Sequence, residues 1–202
     1  MVRTSMLRDV AALGLGVAAL CGAGAAQANP PAAAHASRVT PPKLPAVCPD
    51  AGLEPTPSNL PAIVRATICL VNKERVARGL VALAENTRLD RAAALHSNQM
   101  VAHGFFNDIG PAGQTIQQRA LATGYARRTV RYRVGENIAI GTVGADTPAE
   151  TVTSWINNAA HRAVMLRPFY RETGVGVVDA IPRGFLNNRP GATFTQTFGV
   201  TG

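Results

Sequence analysis

Glu136 stands in the run Val134-Gly135-Glu136-Asn137-Ile138, a carboxylate framed by residues that favour burial. A carboxylate taken out of water needs a charged or hydrogen-bonding partner. Two roles follow: a ligand or general base at the floor of a cleft, or a structural acid that accepts backbone N–H groups and holds a turn. His161 is the second titratable candidate, in the run Trp155 to Arg162, WINNAAHR. If one helix continues through that run, Ser154, Asn158 and His161 fall at i, i+4 and i+7 on one face, opposite Trp155. Such a polar stripe would line a groove. Ser154 and His161 are the residue types of a nucleophile and its base, yet no acid is assigned to orient the imidazole. The patterns H-E-x-x-H and G-x-S-x-G are both absent from the sequence, which removes the commonest zinc-protease and α/β-hydrolase readings.

The elements that must position these residues are legible from periodicity and punctuation. Leu60, Val64, Ile68 and Val71 recur at helical spacing. Ser58 or Asn59 can cap that helix, Pro61 falls early enough to lose no hydrogen bond, and Gly79 ends it. A second helix follows Asn86 or Thr87, with Leu89, Ala93, His96 and Met100 on one stripe and Gly104 as its stop. His96 and His103 lie about 10 Å apart along it, too far to share an ion, and each reads as a helix-surface or partly buried side chain. A third helix runs from about Thr115 to Gly124. The fourth opens on a capping box, Thr147 and Glu150 with Pro148 between them. Its apolar face is Val152, Trp155, Ile156 and Ala159, which makes Trp155 a core anchor.

After Pro168 the period changes. Thr173 to Val178 and Ala192 to Val200 alternate and are rich in β-branched and aromatic residues. They read as antiparallel strands joined by a loop, and Arg131 to Ile140 supplies a third strand. Helices before and between strands indicate an α+β class.

Ahead of these elements, Arg3 and Arg8 precede an apolar run from Val10 to Leu20 and small residues ending in Ala26-Gln27-Ala28. This pattern is a secretory signal, residues 1–28, with the mature chain starting at Asn29. The apolar run is too short to span a bilayer. A lipoprotein signal centred on Cys21 is the rival, but Leu20 stands where a small residue should precede the cysteine. Residues 29–57 hold a concentration of prolines and read as an extended leader or wall-spanning tether. Residues 58–202 then form one domain. Two of the three cysteines, Cys48 and Cys69, lie beyond the cleavage site. In an oxidising compartment they are left to pair with each other; the alternative is one buried and one exposed thiol.

The net charge is +8, and loss of Arg3, Arg8 and Asp9 with the signal leaves the chain basic. Outside the cell such a charge attracts teichoic acids, anionic lipids and acidic polysaccharides rather than nucleic acid. The densest cluster is Arg127, Arg128, Arg131 and Arg133, interleaved with Tyr125 and Tyr132. It is either a solvated loop or a dedicated anion site.

Four fragments in fixed order carry a family resemblance: LVNKERVARGLVAL from Leu70 to Leu83, GEN at Gly135 to Asn137, WINNAAHR from Trp155 to Arg162, and TQTFG from Thr195 to Gly199. Together they resemble the bacterial branch of the CAP (or SCP) superfamily, shared by cysteine-rich secretory proteins, venom antigens and plant pathogenesis-related proteins. The resemblance implies a three-layer α-β-α sandwich with a small antiparallel sheet. In the family's eukaryotic branch two histidines and two acids meet in a cleft that can hold zinc or another divalent ion. Those positions correspond here to Asp108, where bacterial relatives read F-S-H, and to Glu136, Asn158 and Thr193. One of the four keeps its family residue.

The family positions and the polar stripe of the fourth helix together point to a cleft lined by Asp108, Glu136, Ser154, Asn158, His161 and Thr193, with Asp108, Glu136 and His161 as a weak metal set. The only cofactor such a set would take is a loosely held divalent cation, calcium or magnesium before zinc. The resulting expectation is a secreted, non-enzymatic binding module for a lipid, a cell-wall polymer or a protein. The rivals are a divalent-ion-dependent hydrolase using Glu136 and His161, and a structural module of the envelope.

Overall fold

The threonines and phenylalanines of the last strand face opposite ways, and the molecule is layered around that alternation. The computed structural model describes residues 40–202. The expected signal, residues 1–28, and the first part of the leader lie outside the described residues. The sheet consists of β1 (Ala84–Glu85), β2 (Tyr132–Thr142), β3 (Glu172–Val178) and β4 (Gly191–Thr201), in the order β1-β3-β4-β2. β4 pairs antiparallel with both β2 and β3, and β1 runs parallel to β3. Among the described residues five α-helices surround the sheet: α1 (Leu60–Val76), α2 (Thr87–His103), α3 (Ile116–Ala122), α4 (Pro148–Asn157) and α5 (Ala159–Met165). The chain is thus an α+β sandwich, as its sequence implies, with a sheet that is mixed rather than wholly antiparallel.

Phe194 and Phe198 of β4 point into the main core with Ile63, Val71, Trp155 and Met165, the layer of α1, α4 and α5. Trp155 anchors α4 there and donates its indole N–H to Ile138 O at 3.0 Å. On the other face Thr195 Oγ1 accepts from Ser97 Oγ at 2.8 Å and Thr197 Oγ1 donates to Leu89 O at 2.9 Å. These hydroxyls satisfy polar groups that α2 buries against the sheet.

Most helix boundaries follow the expected signals. Asn86 Oδ1 caps α2 by accepting from Arg88 N, and Gly104 ends the helix with φ 64°. The reciprocal capping box forms at Thr115 and Gln118, at the start of α3, whereas at Thr147 the hydroxyl accepts from Glu150 N. Asn59 does not cap α1; its side chain turns back to Thr56 N and Glu54 O. The fourth helix, expected to continue through His161, breaks at Asn158, whose backbone is extended at φ −85° and ψ 123°. The Asn158 side chain causes the break: its Oδ1 accepts from Ala160 N and His161 N, the bonding of an N-cap, and α5 starts there.

Cys48 and Cys69 are joined in a disulfide with Cα atoms 5.7 Å apart. By loop-closure entropy such a bridge contributes about 3 kcal/mol. It fastens the second half of the proline-rich stretch to α1. The same stretch is held by Ala149 N donating to Ala51 O at 2.9 Å and Gly144 N donating to Glu54 Oε1 at 2.8 Å.

Candidate functional site

Successive residues of β2 face opposite sides of the sheet, so Gly135, Glu136 and Asn137 serve three different neighbours. A Cβ at Gly135 would lie 2.2 Å from the Tyr170 hydroxyl and 3.1 Å from Val164 Cγ1; only a residue without a side chain lets α5 and Tyr170 close over the strand. Asn137 is buried and donates from Nδ2 to His161 O at 3.1 Å, tying α5 to the sheet. Glu136 points the other way, toward α2 and α3.

There the Glu136 side chain is only 4% exposed, and Oε1 accepts from Arg119 Nη2 at 2.5 Å. Arg119 is itself fully buried. It also donates from Nη2 to Asp108 O and from Nη1 to Gln114 O, each at 3.0 Å, so one guanidinium stitches the 108–114 loop to the sheet. His96, 3.7 Å from Glu136 Oε1, completes the cluster. Its Nε2 lies 2.9 Å from Asn107 O. A carbonyl only accepts, so Nε2 carries the proton. Four buried atoms around this cluster have no protein partner: His96 Nδ1, Gln99 Oε1, Arg119 Nε and Glu136 Oε2.

Burial raises the Glu136 pKa against the opposing pull of the Arg119 guanidinium. Burial, then the charge of Arg119, pushes His96 down to about 4. His96 is therefore neutral in the fold at physiological pH. The folded pKa lies below the unfolded value near 6.5, so the native state binds fewer protons. The contribution of neutral His96 is complete above the unfolded value and is lost as pH falls toward the folded one. Comparing wild type with His96→Gln by urea unfolding, the stability difference should move by about 3 kcal/mol in favour of the variant between about pH 7 and about pH 4. A difference independent of pH would show that the buried imidazole accepts a proton freely. Glu136 has the opposite sign, its raised pKa costing stability as pH rises, and it is present in both proteins.

The residues proposed from sequence are distributed as follows. The charge of Asp108 raises the pKa of both Glu136 and His161, which places the three in one electrostatic neighbourhood. Asp108 is exposed, however, and reaches Arg119 through its carbonyl. Burial lowers the pKa of His161, with Asp108 opposing, and its Nδ1 is buried without a partner. Ser154 is exposed on α4 and separated from His161 by the break at Asn158, so the expected three-residue helical stripe does not form. Thr193 is fully buried and donates to Ala180 O at 2.7 Å. His96, expected at or near a helix surface, is fully buried beside Glu136. Sequence reasoning assigned no role here to His96 or Arg119, although the need of Glu136 for a buried partner announced that such a residue existed.

The fold and this arrangement define a domain of the CAP class. The chain belongs to the cysteine-rich secretory protein (CAP) family, whose profile matches residues 69–198. It is 30% identical over 142 residues to the Bacillus subtilis protein YkwD, described as uncharacterized; the match covers 70% of this chain and 49% of that one. The chain thus spans about half the length of that relative. Its fold is similar to an extracellular protein containing an SCP domain from Bacillus anthracis, with a TM-score of 0.57, 24% identity, and coverage of 71% of this chain and 43% of that one. It is also similar to an outer surface protein of Borrelia burgdorferi, with a TM-score of 0.55, 16% identity, and coverage of 73% and 97%.

The residues present do not fit the zinc ion of the family's eukaryotic branch. Asn158 Oδ1 is occupied by two backbone N–H groups, Thr193 is sealed in the sheet, and Glu136 Oε1 is held by Arg119. Among the described residues no three His, Cys, Asp or Glu side chains are grouped to hold a metal, the set Asp108, Glu136 and His161 included.

Proposed function

We propose that this CAP domain is a secreted, non-enzymatic binding module that attaches to a component of the cell envelope. The observation that carries the reading is the 2.5 Å pairing of Glu136 with a fully buried arginine. Glu136 is the acid that survives from the family cleft, and here it serves as counterion to Arg119 rather than facing a substrate. A general base must reach the proton it abstracts. The exposed members of the former cleft set, Asp108, Ser154 and Asn158, lack an oriented base. The basic charge supports an anionic partner, and the likeness to an extracellular SCP-domain protein and an outer surface protein supports an exterior location.

Incubation of the mature protein with an envelope fraction from its own host, with and without chelator, is the test. The protein should co-sediment with the fraction and release no soluble fragments from it. Release that needs divalent ions and disappears in Glu136→Gln would replace this reading with the hydrolase.

A further inference from the structure

The start of β2 and the end of α5 frame a groove of about 460 Å³ that crosses the β2 edge of the sheet, with Gln117 of α3 on its far side. Its exposed side chains are Arg133, Arg167 and Gln117, while Phe169 and Tyr170 are recessed. Arg133 Cζ lies 4.7 Å from the centre of the Phe169 ring, and Arg167 Cζ lies 5.9 Å from the same centre. Phe169 is fixed in turn by edge contact with Tyr170, ring centres 4.7 Å apart. One anchored ring thus holds two guanidinium groups at the rim of one groove. The arginine–carboxylate pairs among the described residues are Arg78–Glu74 and Arg119–Glu136, so neither rim arginine has a carboxylate partner. Like charges brought together without a counterion repel, and an anion between them relieves that repulsion. The Tyr170 hydroxyl reaches the space left by Gly135 and adds a neutral donor at the floor.

We propose that this groove binds the phosphate diester of a linear envelope polymer, held between Arg133 and Arg167. Donors from two walls and a floor suit a tetrahedral phosphate better than a planar carboxylate, and guanidinium groups pair bidentately with phosphate oxygens. A chain is favoured over a single ion because the positive charge continues beyond the groove. Arg127, Arg128 and Arg131 are exposed on the segment entering β2, and none of them has an ion-pair partner among the described residues. A bilayer is disfavoured because the exposed side chains of the groove are polar and its aromatic rings are recessed. The proposal rests on the envelope-binding reading and gives it a site and a ligand chemistry.

Calorimetric titration of the mature protein with soluble poly(glycerol phosphate) tests it, with inorganic phosphate, polygalacturonate and phosphatidylglycerol vesicles as comparison ligands. Binding to the phosphate polymer should be tighter than to any of the three and should weaken with salt. Arg133→Gln with Arg167→Gln should weaken it about tenfold or more, whereas Arg65→Gln with Arg78→Gln should not. Arg133→Lys with Arg167→Lys keeps the charge but loses the planar fork, and should fall between. Equal binding by the glutamine variant, or equal or tighter binding of polygalacturonate or of vesicles, would overturn the proposal. Envelope sedimentation separates its failure from that of the wider reading. A glutamine variant that sediments like wild type removes the groove and leaves the binding module, while wild type that stays soluble removes both.

Discussion

Arg119→Met should destabilise the fold by about 3 to 5 kcal/mol, the range seen when one partner of a buried ion pair is removed. The methionine fills much of the volume but leaves Glu136 facing only His96, leaves the Asp108 carbonyl without its donor, and leaves Gln114 O with Gly110 N alone. Burial has already raised the Glu136 pKa, so part of the cost can be evaded by protonating the carboxyl, and the loss should grow toward alkaline pH. Glu136→Gln alone should cost less, because the amide oxygen still accepts from the guanidinium. The double variant should be more stable than the sum of the two single losses implies, since the uncompensated charge is then absent. Urea unfolding of the four proteins at two pH values measures all these terms. An Arg119→Met protein as stable as wild type would mean that Glu136 is solvated, and with it the structural role of this β2 carboxylate would fall.

The demand for a cation was readable in the sequence and its identity was not. Val134 and Ile138 around Glu136 signal burial, and burial of a carboxylate requires a partner. Arg119, however, belongs to a seven-residue helix, too short for a periodic pattern to show which face turns inward. The stripe of Leu89, Ala93, His96 and Met100 is the buried face of α2, so helical period places His96 inward and only its polar residue type argues for the surface. Long elements with strong punctuation, such as α2 between Asn86 and Gly104, were legible almost to the residue. The break at Asn158 was not, because Asn158-Ala159-Ala160-His161 continues a helical pattern and only the side chain's competition for two backbone N–H groups ends it. β1 escaped for a different reason. Two residues carry no period, and the segment is set by the buried Asn72 side chain, which pairs with both backbone groups of Leu83.

The same stripe of α2 makes Gly176→Ala the second change with a large expected effect. A Cβ at Gly176 would lie 2.2 Å from Ala94 N and 2.4 Å from Ala93 C, and one at Gly174 would lie 2.1 Å from Asp90 N. Such contacts are with backbone, so no side-chain rotamer can relieve them. The helix must lift from the sheet. Lifting it pulls against the Ser97 hydroxyl bonds to Gly176 O and Thr195 Oγ1, and against the seat of His96 beside Glu136. Overpacking of a close-packed interior costs about 1 to 3 kcal/mol where side chains can adjust; with rigid backbone on both sides the loss should be at least about 3. Gly52→Ala is the control, since a Cβ there meets nothing within 4 Å, and it should stay within about 0.5 kcal/mol of wild type. Because α2 carries His96, the displaced helix should also admit water to the imidazole, raising its pKa toward the ordinary value and weakening the acid sensitivity of the fold. Urea midpoints at neutral and acid pH read both effects. A Gly176→Ala protein with the stability of the Gly52→Ala control would show that α2 does not ride on the glycines of β3.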